Sequence, residues 1–173
     1  MALRQRLGKI RRYLFGGVSP RLHAHLDMMR WCQRRGHLRL ARWVSRRIQL
    51  KFSVFISPEC SLGTGVEFRH PVGIVIGDGV ALSDGVVVYQ GVTLGGARQG
   101  DAGRNNYPQV GAGTVIFAGA VIVGGIRIGT GCTIGANAVV TQDVPDGATA
   151  VGVPARIVLK RPSESGHTIH HMQ

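Results

Sequence analysis

His70 is the first residue of this chain whose type and setting suggest chemistry. It interrupts a stretch of apolar and small residues and precedes Pro71. A single histidine at a turn is most often structural. Where such a histidine is functional, an imidazole suits taking a proton from a hydroxyl. A second concentration of polar groups lies in residues 95–109, GGARQGDAGRNNYPQ, which hold no aliphatic residue larger than alanine. No G-x-S-x-G elbow occurs. Cys32, Cys60 and Cys132 form neither a disulfide framework nor a C-x-x-C metal pattern, and read as small buried thiols of a reducing compartment. His167, His170 and His171 could bind a metal adventitiously, but no metal site is expected.

The elements that must hold His70 follow from a six-residue step. Large apolar residues fall at Ile56, Leu62 and Phe68 and, after a two-residue offset, at Ile76, Leu82, Val88 and Leu94. The step resumes at Val110, Ile116, Ile122, Ile128, Ile134 and Val140. Four residues after twelve of these comes a small or β-branched residue: Cys60, Val66, Val72, Val80, Val86, Val92, Thr114, Ala120, Ile126, Cys132, Ala138 and Val144. A period of six is neither helical nor a simple strand alternation. It fits strands of a few residues joined by tight turns, three to a coil, stacked as a parallel β-helix of about four coils. Glycine supplies the corners, which accounts for the concentration of 22 of the 26 glycines in residues 52–173. Residues 95–109 break the period and must leave the coil as a loop, a placement that favours function.

The hexads, the stretch HPVGIVIGDGVALSDGVVVYQGVTLGG (70–96) and the ending AVGVPARIV (150–158) resemble the hexapeptide-repeat acyltransferases, in particular the serine acetyltransferase branch and related polysaccharide O-acetyltransferases. The resemblance covers residues 52–160. It implies a left-handed β-helix, a homotrimer and acetyl-CoA as co-substrate. It makes His70 the general base of a direct acetyl transfer to a hydroxyl, with coenzyme A leaving as thiolate. A backbone N–H near Gly95–Gly96 is the candidate oxyanion donor. Gly96, Ala118 and Ala136 match positions lining the cofactor groove, and Arg156 and Lys160 could meet the cofactor phosphates.

Departures from the serine acetyltransferase pattern bear on the acceptor. Phe55 stands where that branch has a carboxylate that orients the histidine, and Arg69 where it has an aspartate that helps hold the amino acid. In the loop, Asn106 and Tyr107 replace an arginine and a histidine. Arg69 would repel an ammonium group, while Asn105, Asn106 and Tyr107 suit hydrogen bonds to carbohydrate. The sequence is therefore read as an O-acetyltransferase of a sugar or glycan hydroxyl. L-serine is the alternative acceptor, and a catalytically inactive trimeric scaffold is the alternative of another class. Glu67, Asp84 or a backbone carbonyl could orient His70.

Charge divides the chain. The net charge of +12 comes from residues 1–51, which hold 14 of the 21 Lys and Arg and a single acid, Asp27. Leucines at helical spacing predict helices from Leu3 to Leu14, about Ser19 to Arg35, and from Leu38, with Trp31 and Trp43 among the arginines. The expected organisation is a basic helical region (1–51), an all-β acyltransferase domain (52–160) and a flexible tail (161–173). The helices are read either as a cap on the first coil or as an attachment to an anionic membrane surface. Nucleic acid is not expected, because no reader motif accompanies the charge. No apolar run approaches the roughly 18 residues of a membrane span, and no signal peptide is evident. A cytoplasmic location, peripheral to the inner membrane face at most, is expected.

Overall fold

A computed structural model describes residues 18–98, 100–101 and 106–159. The expected helix at Leu3–Leu14 and the tail after Lys160 lie outside them. Two helices, α1 (Val18–Arg34) and α2 (Leu38–Phe52), lead into fifteen short strands. The first coil is β1 (Phe55–Ile56), β2 (Ser61–Leu62) and β3 (Glu67–Phe68), and the second β4 (Val75–Ile76), β5 (Ala81–Leu82) and β6 (Val87–Val88). The third is β7 (Thr93–Gly95), β8 (Gln109–Val110) and β9 (Val115–Ile116), and the fourth β10 (Val121–Val123), β11 (Arg127–Ile128) and β12 (Thr133–Ile134). A partial fifth holds β13 (Val139–Val140) and β14 (Thr149–Val151), on which β15 (Arg156–Val158) folds back antiparallel. Strands stack into three parallel sheets, β1-β4-β7-β10-β13, β2-β5-β8-β11 and β3-β6-β9-β12-β14. This is the β-helix that the six-residue step predicts.

The hexads set this register. In each strand the second residue points inward, so Ile56, Phe68, Ile76, Leu82, Leu94, Ile116, Ile122 and Ile134 are all buried. Each such burial contributes about 1.5–3 kcal/mol. Thr114, fully buried, donates through Oγ1 to the Gly129 carbonyl at 2.8 Å and accepts from the Cys132 amide at 3.0 Å, so its hydroxyl is satisfied between coils. One interior assignment is corrected. Val72 is 54% exposed, and Ile74, fully buried, takes its place. The two extra residues of the offset fall before Ile74, displacing Val72 outward.

The helices close the open edge of the first coil, whose carbonyls have no coil above them. Ser19 Oγ donates to the Phe68 carbonyl at 3.2 Å, Arg30 Nη2 to Gly63 at 3.3 Å, Ser45 Oγ to Ile56 at 2.7 Å, and Gln33 Nε2 to Pro58. All three sides of the coil receive donors, and Leu22, Leu26, Met29, Val44 and Ile48 pack on its core. No described helix is long and apolar enough to cross a membrane.

Corner glycines are demanded by the coil spacing. A Cβ on Gly111 would lie 2.5–2.6 Å from backbone atoms of Gly129 and Thr130, which cannot rotate away. Around Gly95 a Cβ meets nothing. Gly111→Ala should therefore destabilise the fold by about 2 kcal/mol or more, and Gly95→Ala by less than about 0.5 kcal/mol. Urea unfolding of the two variants measures the difference.

Candidate active site

His70 lies on the corner between the third and first sheets, where the chain turns from β3 to β4. The offset lengthens this corner, since β3 and β4 begin at residues 67 and 75, whereas β6 and β7 begin at 87 and 93. The backbone at His70 is left-handed, with φ of 48°, and the side chain is exposed while Pro71 is buried beneath. A non-glycine residue in this region signals a constrained turn. The imidazole lies 6.5 Å from the Tyr89 ring, which stacks on Phe117 at 5.1 Å and 22°.

That corner is built in rows. The Arg69 amide donates to Val88, Tyr89 to Ile116, Phe117 to Ile134 and Gly135 to Ala150, and Val151 pairs with Arg156. Arg69, Tyr89, Phe117, Gly135, Val151 and Arg156 therefore form one row from the His70 end of the corner to the last coil. One position further on, Gly91 donates to Val72, Gly119 to Gln90 and Asn137 to Ala118, which aligns Val72, Gln90, Ala118 and Ala136 in an adjacent row. Gln90 Oε1 is buried and has no hydrogen-bond donor among the described residues.

The structure thus brings Arg69, His70, Ala118, Ala136 and Arg156 to one corner. It does not bring Gly96, Asn106 and Tyr107 there. These stand at the corner between the first and second sheets, where residues 95–109 leave the coil. Asn105 and Lys160 lie outside the described residues. Phe55 is half-buried on β1, on the first sheet.

Asp101, the only acid of the loop, organises it. Its Oδ2 accepts the amides of Ala97 and Arg98, each at 2.7 Å, and its Oδ1 accepts Asn106 Nδ2 at 3.1 Å. A Cβ on Gly96 would fall 2.9 Å from Asp101 Cβ, so Gly96 makes room for this knot. The Asn106 hydrogen bond, then the backbone amides, hold the Asp101 carboxyl below the usual carboxylate range. Tyr107 is buried; burial, then Asp78 and Asp101, push its hydroxyl upward. A Cβ on Gly77 would lie 3.7 Å from its ring.

The roles of Asp101 and of the Tyr89–Phe117 stack emerge only from the structure. The signals were a lone acid in a polar loop and two aromatics at the same hexad position. Among the described residues, no three His, Cys, Asp or Glu side chains are grouped to hold a metal ion. Cys60 is buried, and burial pushes its thiol up to about 12, so it is no nucleophile near neutral pH.

Fold and repeat define the class. Residues 107–142 match the bacterial transferase hexapeptide (six repeats) family, and the chain carries the left-handed parallel β-helix of the hexapeptide-repeat transferases. Within that class it is similar to serine acetyltransferases. It is 46% identical over 103 residues to the serine acetyltransferase of Haemophilus influenzae, covering 60% of this chain and 38% of that protein. The serine acetyltransferase structure from Vibrio cholerae superposes with a TM-score of 0.78 at 35% identity, covering 88% of this chain and 58% of that one. That from Brucella abortus in complex with coenzyme A gives 0.75 at 32%, covering 83% and 56%. The chain spans about two fifths of the length of the curated relatives it matches.

These relatives overturn the expectation of a sugar or glycan acceptor. The structure also bears on two of the features behind it. Arg69 is not an unpaired cation, because its Nη2 lies 2.6 Å from Glu67 Oε2. Of the expected carbohydrate contacts, Asn106 is bound to Asp101 and Tyr107 is buried.

The Asp101 knot has a pH dependence. Its folded pKa is depressed, so its stabilisation is present above the unfolded value near 4 and is lost as pH falls through the lower folded value. At pH 7, Asp101→Asn should speed tryptic cleavage after Arg98 about tenfold or more, while wild type resists until pH falls below about 4. Mass spectrometry of the fragments, with pepsin for the acid samples, checks both.

Proposed function

We propose that this chain is an acetyl-CoA-dependent O-acetyltransferase with L-serine as acceptor and His70 as general base. The observation that carries it is the placement of His70. A two-residue extension pushes it out of an otherwise regular corner, exposed, in a β-helix similar to those of serine acetyltransferases. His70 takes the proton from the acceptor hydroxyl as the new O–C bond forms at the acetyl carbonyl. The C–S bond breaks, and the proton passes from His70 to the departing thiolate, which restores the neutral imidazole.

The residues of the corner fit a coenzyme A arm. Ala118 and Ala136 leave the row shallow, the orphaned Gln90 Oε1 offers an acceptor to an amide N–H, and Arg156 supplies positive charge at the far end. Gly96 and the loop stand on a different corner from His70. This supports a homotrimer in which His70 of one chain faces the loop of its neighbour.

For the helical pair we propose an anionic lipid surface as partner. The outward face of α2 carries Arg39, Trp43, Arg46 and Leu50, opposite buried Ala41, Val44 and Ile48. Trp43 is 50% and Leu50 83% exposed. Residues 28–58 contain eight Lys and Arg and no acid. Apolar side chains among cations favour lipid, which takes up both.

His70→Ala should lower coenzyme A release with L-serine about 10²–10⁴-fold while the circular dichroism spectrum is unchanged. Equal, slow release by both proteins would favour the inactive scaffold. The full chain should float with vesicles containing anionic lipid but not with neutral ones. The triple variant Arg39→Glu, Trp43→Ser, Arg46→Glu should lose flotation, and equal flotation of both proteins would overturn the lipid reading.

A further inference from the structure

We infer that the chain meets an anionic bilayer end-on, with the axis of the β-helix along the membrane normal and the first coil nearest the lipid. The inference rests on the lipid reading of the helical pair above and adds which side of the molecule is presented. The hydrogen bonds of the cap fix its orientation. Ser19, at the start of α1, bonds to Phe68 on the third sheet, and Gln33, near its end, to Pro58 at the corner between the first and second sheets. Ser45 of α2 bonds to Ile56 on the first sheet. Both helices therefore lie across the triangular end of the prism rather than along its sides. Leu22, Leu26 and Met29 of α1 and Ala41, Val44 and Ile48 of α2 turn inward to the core, so the opposite faces look away from the coil along its axis. At helical spacing these faces carry Trp31 and Arg34 on α1, and Arg39, Trp43, Arg46 and Leu50 on α2, all exposed.

Charge and side-chain chemistry select both occupant and orientation. Residues 18–52 hold nine Lys and Arg against one acid, whereas residues 53–159 hold five against seven. An anionic surface therefore attracts the end of the prism and not its sides. The one acid, Asp27, lies 3.7 Å from Arg30. Trp31 and Trp43 each carry a guanidinium over the ring, from Arg35 at 5.5 Å and Arg47 at 5.1 Å. Tryptophan favours the boundary between headgroups and acyl chains, and arginine the anionic headgroups. A second copy meeting this face cap to cap would set cation against cation, so lipid is the occupant. His70, between the first and second coils, then stands roughly 15 Å from the headgroups, one helix diameter and one strand spacing away. The last coil points into water.

The test places fluorophores at four levels of the full chain, whose three native thiols are buried. Leu50→Cys labels the cap, Ser61→Cys the first coil, and Gln142→Cys and Val158→Cys two different corners of the last coil. Each labelled protein is bound to vesicles of phosphatidylcholine and phosphatidylglycerol that carry a nitroxide quencher on the headgroup. Bound end-on, the Leu50 probe should lose about half of its emission or more, and the Ser61 probe less. The Gln142 and Val158 probes should lose none, since Val158 lies five strand spacings, roughly 24 Å, beyond β3. Quenching at Gln142 or Val158 equal to that at Leu50 would mean that the prism lies on a side. An unquenched Leu50 probe on floated protein would mean that the cap seats something else, a second copy included. Either result overturns the inference and leaves lipid binding standing, whereas a wild type that does not float overturns both.

Discussion

Everything in this molecule depends on the backbone of each coil bonding to the coil beside it. Every strand is two or three residues long, too short to be stable alone. Parallel ladders through five coils supply the missing partners, so the coil is the cooperative unit. Because the ladders fix register, a residue's position within its hexad decides its row, and its row decides its neighbours. Phe117 stacks on Tyr89 because both follow the inward residue of the third sheet, 28 residues apart in sequence.

The same constraint decides where chemistry can sit. A residue added within a strand would turn the interior outward along all that follows. A residue added at a corner leaves the strands on either side in register. The chain lengthens its period at two corners, and each holds candidate site residues. The shorter extension turns His70 outward with a left-handed backbone. The longer one emits a loop closed by Asp101 rather than by the coil. Regular coils supply the precision, and the extensions supply groups free of the core.

Legibility in the sequence tracks this division. The inward row repeats every six residues, so Ile76, Leu82 and Val88 disclose the coils without any knowledge of contacts. The offset before Ile76 is equally visible, but which residue takes the interior place is not. Both Val72 and Ile74 are β-branched, and only the stacking on Val92 selects Ile74. The Asp101 knot was hidden for a different reason. Two of the three groups that bind its carboxylate are backbone amides, which carry no sequence signature. The charge of Arg69 is legible in the sequence but its pairing is not, although Glu67 stands two residues away on the same face.

The acids of the β-helix bear on that last point. Most of them serve turns. Asp84 accepts the Thr64 amide, Asp143 that of Arg127, Asp146 that of Thr130, and Asp78 accepts the Ser57 hydroxyl. Asp101 closes the loop in the same way. Each is fixed by a donor that cannot leave without undoing local structure. Glu59 and Glu67 differ, because each faces a guanidinium on a flexible stem, Arg42 at 3.0 Å and Arg69 at 2.6 Å. Glu59 ties α2 to the first coil. Glu67 joins its strand to Arg69, the neighbour of His70, and no turn, coil or helix depends on that pair.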